Sequence, residues 1–354
     1  MRDQDLLLDR PDPQFGSGVI GVCDVCGRRQ AVIVLQKERF KLCVIDFLNK
    51  TWATSGKAPG APLPIYRSER IWYTTRAVPG GKAPAVMLSP TKMAKRPVVL
   101  ITPDVYGLTT TLLDAAIHFA REGFEVMLPD VSNTPGIGAT SHLALRLGLR
   151  IRGGIRASDP RVLTLVSLYR DALTALRGRE MVDPEKSAVF GASYGGALAA
   201  MVAAQEPKVG ALVLAYPMPI LPAATMVMVN APTLILSGTA DARSHQFVSQ
   251  ARATGQPGAA GPGVAEFSGA RHHFLARDLP SYQLENAESA WKQSVAFLRQ
   301  SLLPPPPKPP SPPSVKPAPP PAAAVPEVSP GAVGPPPAAP PGAGRPSAPR
   351  ASGA

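Results

Sequence analysis

Ser193 stands in Val189-Phe190-Gly191-Ala192-Ser193-Tyr194-Gly195-Gly196, between an apolar run and a stretch of small residues that reads as a helix over 197–204. A serine hydroxyl is a poor nucleophile near neutral pH. It needs an imidazole to take its proton, and the imidazole needs a carboxylate to hold its tautomer and stabilise its cation. Both partners follow in the chain. Asp241 closes Ser237-Gly238-Thr239-Ala240-Asp241, just past an apolar run at 233–236. A histidine, His272 or His273, lies in Gly269-Ala270-Arg271-His272-His273-Phe274, just past the last predicted strand; two of the chain's five histidines stand there. Glycines at 191 and 195 suit a strained turn that brings strand and helix very close. Such a turn lifts the Ser193 hydroxyl above the sheet and leaves the Tyr194 amide at a helix N-terminus, where an oxyanion can be held. The expected chemistry is acyl transfer through a serine ester.

A second constellation lies near the N-terminus. Cys23-Asp24-Val25-Cys26-Gly27 is followed by a β-like run at 31–35 and by Cys43-Val44-Ile45-Asp46. Two thiolates on a tight turn, with a glycine that lets backbone amides approach the sulfurs, suit a structural zinc ribbon. Its ligands would be Cys23, Cys26, Cys43 and Asp46, the carboxylate standing where a fourth cysteine is usual. A degenerate ribbon that binds no metal fits the same residues. A redox pair fits less well, because no thioredoxin-like βαβ pattern surrounds it.

The elements that must position Ser193, Asp241 and the histidine alternate from residue 66 onward. Residues 71–75 and 85–88 read as an antiparallel pair, and 98–102 as a short buried strand. A helix is predicted over 110–122, ending at Gly123, with a strand at 124–128. Asp159-Pro160 opens the next helix with an N-cap and a proline at its first position. Val162, Val166, Tyr169, Leu173 and Leu176 then mark its buried face. Strands at 188–190, 211–215 and 233–236 follow, and a helix over 291–302 closes the region. Repeated βα units of this length imply an α/β fold with a mostly parallel, doubly wound sheet.

Composition sets the outer limits. Of the 43 prolines in 354 residues, 21 fall between Pro304 and Pro349, in a stretch without aromatic residues, Leu or Ile. Such a segment cannot bury enough apolar surface to offset chain entropy, so 304–354 is expected to be a disordered, partly polyproline-II tail. With a linker over 53–65, the expected organisation is a zinc-ribbon-like module and linker at 1–60, an α/β domain at 61–303, and the tail. The net charge of +12 is diffuse, with no basic run interleaved with aromatics, so nucleic acid is not an expected partner. No apolar run reaches 18 residues, and the first residues carry early acids and too short an apolar core for a signal peptide. Three clustered cysteines argue against a disulfide framework. The expectation is a cytoplasmic protein without a membrane span.

Residues 66–303 resemble the dienelactone hydrolase family of α/β-hydrolases. The resemblance is carried by Val98-Val99-Leu100-Ile101-Thr102-Pro103-Asp104-Val105-Tyr106-Gly107, Val126-Met127-Leu128-Pro129-Asp130, the Ser193 turn, residues 237–241 and residues 269–274. The spacings of 48 residues from Ser193 to Asp241 and 31 from Asp241 to His272 are also those of the family. The family pattern G-A-x-H-x-F implies that His272 is the base and that His273 packs beside or lines the site. It implies a second oxyanion amide at Val105 and no cofactor for catalysis. Two departures stand out: serine replaces the cysteine nucleophile of the type member, and Asp104 replaces the glutamate of an E-x-x-G segment. Serine suits hydrolysis of an ordinary ester through an acyl-enzyme.

The expected function is therefore a serine hydrolase cleaving a small carboxylic ester or lactone. One alternative is a serine peptidase of the prolyl-oligopeptidase type, which Gly-Ala-Ser-Tyr-Gly-Gly also suits, although no gating domain is evident. Another is a non-catalytic interaction protein using the zinc module and the Pro-rich tail, whose 306–313 run would suit weak binding by SH3-type grooves. Arg146, Arg150, Arg152, Arg156 and Arg161 in segment 141–161 could draw carboxylate-bearing substrates, though a solvated loop fits them better. Arg277 is one residue out of register with a substrate-binding arginine of the family.

Overall fold

The computed structural model describes residues 66–91, 95–104, 107–137, 158–221, 223–254, 262–277 and 279–303, together with the backbone of 33–35 and 40–42. The chain divides into two units, Met1–Pro305 and Pro306–Ala354, and no residue of the second is among those described. Strands β1 (Ile33–Leu35) and β2 (Phe40–Leu42) pair antiparallel, with Ile33 opposite Leu42. Cys23, Cys26, Cys43 and Asp46, expected as a zinc site, lie outside the described residues, as do the Pro-rich tail and most of the Arg-rich segment.

The main sheet has eight strands: β3 (Tyr66–Thr74), β4 (Lys82–Pro90), β5 (Arg96–Thr102), β6 (Glu125–Pro129), β7 (Val182–Ala192), β8 (Ala211–Ala215), β9 (Thr233–Gly238) and β10 (Gly263–Phe267). Their spatial order is β10-β9-β8-β7-β5-β6-β4-β3. The strands from β10 to β6 pair parallel, and β4 joins β6 and β3 antiparallel. Among the described residues six helices accompany them: α1 (Thr110–Arg121), α2 (Pro160–Arg177), α3 (Tyr194–Gln205), α4 (Ala223–Val227), α5 (Ala242–Thr254) and α6 (Leu284–Leu302), the last following β10.

Period-two alternation along the strands feeds two separate cores. Val98 and Leu100 of β5 join the apolar residues of α2, α3 and α5, whereas Val99 and Ile101 join those of α1 and α6. The sheet is thus covered on both faces, as a parallel sheet requires. Asp159 caps α2 as its sequence suggests, accepting the Arg161 amide at 2.9 Å. Helix α3 is buried from Tyr194 to Ala203, which its run of glycine and alanine permits.

One helix exceeds the expectation. Helix α6 begins at Leu284 rather than 291, because its first turns are polar and Leu284 is 56% exposed, leaving little apolar period to read. Strand β6 includes the fully buried Glu125, which pairs with Arg96 at 3.1 Å and Arg179 at 3.2 Å and accepts the Ser89 hydroxyl at 2.6 Å. A buried carboxylate is tolerated in a strand only with such partners. No helix among the described residues is long and apolar enough to cross a membrane.

Candidate active site

Strand β7 runs directly into α3, and the residue between them is Ser193, with φ 54° and ψ −122°. The turn is held from three sides. The Ser193 amide donates to the Ala215 carbonyl at 2.9 Å, and its carbonyl accepts the amides of Gly196 at 3.1 Å and Met218 at 3.2 Å. The Thr102 hydroxyl, at the end of β5, donates to the Gly195 carbonyl at 2.7 Å. Glycine at 191 and 195 is a steric requirement. A Cβ at 191 would lie 2.3 Å from the Gly195 carbonyl oxygen, and one at 195 would lie 2.6 Å from that of Thr102. Both are closer than real Cβ contacts come.

The loops after β9 and β10 bring the other two side chains to the same sheet edge. A Cβ at Gly238 would lie 2.2 Å from the Ala270 carbonyl oxygen, so only glycine lets the loop after β10 approach the end of β9. His272 then sits between its partners. The Ser193 hydroxyl donates to Nε2 at 3.0 Å, and Nδ1–H donates to Asp241 Oδ2 at 2.7 Å. All three residues are buried. The second oxygen of Asp241 accepts the amides of Arg243 at 3.1 Å and Ser244 at 3.3 Å. Burial pushes the Asp241 carboxyl up, but the hydrogen bond and charge of His272 and these two amides outweigh it and hold it below its ordinary value. Asp241 therefore stays ionised and fixes the tautomer that leaves Nε2 free to accept a proton.

As the first residue of α3, Tyr194 presents an amide with no partner inside the helix, close to the Ser193 hydroxyl. Its phenol is buried, and burial together with the charges of Asp159 and Asp104 raises its pKa. Asp104 is buried beside the site and bridges to Gly107, whose amide donates to the Asp104 carbonyl at 2.8 Å. Val105, expected to supply a second oxyanion amide, lies outside the described residues. His273 is buried, with its ring centroid 4.3 Å from that of His272.

The profile of the dienelactone hydrolase family matches residues 83–302, more than half of the chain. The chain belongs to the dienelactone hydrolase family. As a family member it is an ester- or lactone-hydrolysing enzyme. A Yersinia pestis protein provisionally named a carboxymethylenebutenolidase is 24% identical over 238 residues, spanning 64% of this chain and 87% of that protein. A Bradyrhizobium protein, provisionally a 2-oxo-3-(5-oxofuran-2-ylidene)propanoate lactonase, is 23% identical over 232 residues, 62% of this chain and 89% of its own length. Among solved structures, a Klebsiella pneumoniae protein provisionally named a dienelactone hydrolase superposes with a TM-score of 0.54 at 19% identity. It covers 66% of this chain and 99% of its own, a likeness of fold.

Within this dienelactone hydrolase family chain, Arg277 lies in the loop that follows His272. It pairs with Asp114 of α1 at 2.9 Å. Of the Arg-rich segment, Arg161 is described, and it pairs with Asp159 at 2.6 Å. Among the described residues no group of three or more His, Cys, Asp or Glu side chains could hold a metal ion. Thr102 stands in the 98–107 run and Tyr216 in no motif, and neither carries a sequence signal for its place beside Ser193 and His272. Their placement depends on strands that are distant in the chain.

Proposed function

We propose that the chain is a serine hydrolase that cleaves a small carboxylic ester or lactone through an acyl-enzyme on Ser193. The observation that carries this reading is the unbroken relay from Ser193 Oγ through His272 to Asp241, at 3.0 and 2.7 Å. As the Ser193 oxygen attacks the carbonyl carbon, its proton passes to His272 Nε2, and the imidazolium is stabilised by Asp241. The negative charge arising on the substrate oxygen falls to the amides of Tyr194 and Val105. Collapse expels the alcohol, or opens the lactone ring, with the leaving oxygen taking the proton back from Nε2. Water then repeats the sequence, giving up its proton to Nε2, attacking the acyl carbon and freeing Ser193. Every proton is returned, so the cycle needs no cofactor. The names of the Yersinia and Bradyrhizobium relatives support a lactone or ester as substrate.

A fluorophosphonate probe tests the reading. The full chain is expected to be labelled at Ser193 and to turn over p-nitrophenyl acetate but not aminoacyl anilides, and Ser193→Ala is expected to lose both labelling and turnover. A parent chain that is not labelled at Ser193 would sink the proposal.

A further inference from the structure

Among the described residues, three that are not glycine carry a positive φ: Ser193 at 54°, Tyr216 at 36° and His273 at 62°. A residue with a Cβ enters this region at a cost and stays there only where its surroundings hold it. One of the three is the serine of the turn. The other two come from separate elements, the end of β8 and the loop after β10, and both close on the ring of His272. The centroids of Tyr216 and His272 are 5.2 Å apart at 64°, those of Tyr216 and His273 5.3 Å apart at 66°, and those of His272 and His273 4.3 Å apart at 80°. Each ring meets the other two edge to face.

Backbone hydrogen bonds seat both neighbours. The Tyr216 amide donates to the Leu236 carbonyl at 2.7 Å, and the His273 carbonyl accepts the Ala276 amide at 2.9 Å and the Ser281 hydroxyl at 3.3 Å. Tyr216 also meets Phe274 at 5.6 Å, which ties the group to the core.

We propose that His273 and Tyr216 are positioning residues that clamp the ring plane of His272, keeping Nδ1 on Asp241 and Nε2 on Ser193 through turnover. This rests on the reading of His272 as the base. Rotation of that ring would break both of its hydrogen bonds together, and a misplacement of about 1 Å at a reacting group can cost as much as ~100-fold in rate. A glycine at 273 would adopt the backbone without strain; histidine accepts the strain and supplies a ring. That ring must also stay uncharged beside the imidazolium that forms on His272. The groups facing it are His272, Tyr216 and, from α5, Arg243. Burial first, then the charges of His272 and Arg243, hold His273 far below its ordinary value, so it adds no like charge.

Two variants of the full chain test the clamp. His273→Gly removes the ring and relieves the strain, and His273→Phe retains a ring. In His273→Gly, kcat for p-nitrophenyl acetate is expected to fall about tenfold while KM stays within about twofold, and in His273→Phe kcat is expected to stay within about twofold of the parent. The melting temperature of His273→Gly is expected to fall by only a few degrees and to stay well above the assay temperature, because relief of the positive-φ strain offsets part of the lost ring packing. The His272 Nδ1 proton, followed by NMR as a downfield resonance, is expected to broaden in the glycine variant and stay sharp in the phenylalanine one. That readout needs no turnover, so it holds even if Ser193 is not the nucleophile, a failure that the Ser193→Ala comparison reports separately. Parental kcat with a sharp resonance in His273→Gly, or equal impairment in both variants, overturns the proposal. So does a fall in melting temperature large enough to account for the lost activity.

Discussion

The Thr102 hydroxyl fixes the carbonyl of Gly195, two residues from Ser193. Thr102→Val keeps the shape of the side chain and leaves that buried acceptor short of a donor. The expected cost is about 0.5–1.5 kcal/mol in urea unfolding, with a slower rate of fluorophosphonate labelling at Ser193 and an unchanged KM. The same scale explains the glycines. Gly191, Gly195 and Gly238 are each approached by backbone atoms at distances that leave no room for a methyl group. They are spaces in the site as much as turns in the chain.

The doubly wound sheet brings the ends of β7, β9 and β10 to one edge, and each contributes one side chain to the hydrogen-bonded Ser193–His272–Asp241 row. On the face covered by α1 and α6, His118 stacks on Trp291 with centroids 5.4 Å apart. Burial first, and the nearby Arg121 charge second, lower its pKa to about 4. The folded protein thus holds His118 neutral, while the unfolded chain takes up a proton below about 6.5. Between those limits the unfolded state binds more protons, so stability rises with pH and is lost on acidification, by about 3 kcal/mol for this one group. His273, lowered in the same direction, adds to the trend. His118→Phe retains a ring against Trp291, and its melting temperature is expected to depend less on pH between 4 and 6.5 than that of the parent.

For the whole molecule, we propose that the hydrolase is the segment 61–303 and that the Pro-rich tail has no part in catalysis. Helix α6 ends at the buried Leu302, so a chain cut after Leu303 keeps every core contact among the described residues. Such a chain is expected to retain the melting temperature, the KM and the kcat of the full chain. A substantial loss in any of them would give residues 304–354 a role that their composition does not suggest.

Much of this architecture was legible in the chain. The short apolar runs at 98–102, 211–215 and 233–236 fall within β5, β8 and β9, because a strand buried on both faces must be apolar throughout. The first turns of α6 were not legible, since they bury little. Helices α4 and α5 went unread, the latter because its buried face, Ser244, Phe247, Val248 and Ala251, carries only two large apolar residues. Ser193, Asp241 and the histidine pair stood out by residue type, by order and by their positions just past strands.

By itself the sequence determined the residue types able to relay a proton, the glycines that a sharp turn demands, and the alternation that builds a parallel sheet. These are local properties, set by side-chain chemistry and backbone sterics over a few residues. The tertiary structure alone decided that Arg277 is held by Asp114 and that Thr102 braces the Ser193 turn. It also decided that Tyr216 closes on the ring of His272. Those contacts join residues remote in sequence, and their distances follow from how strands and helices pack, which no local pattern encodes.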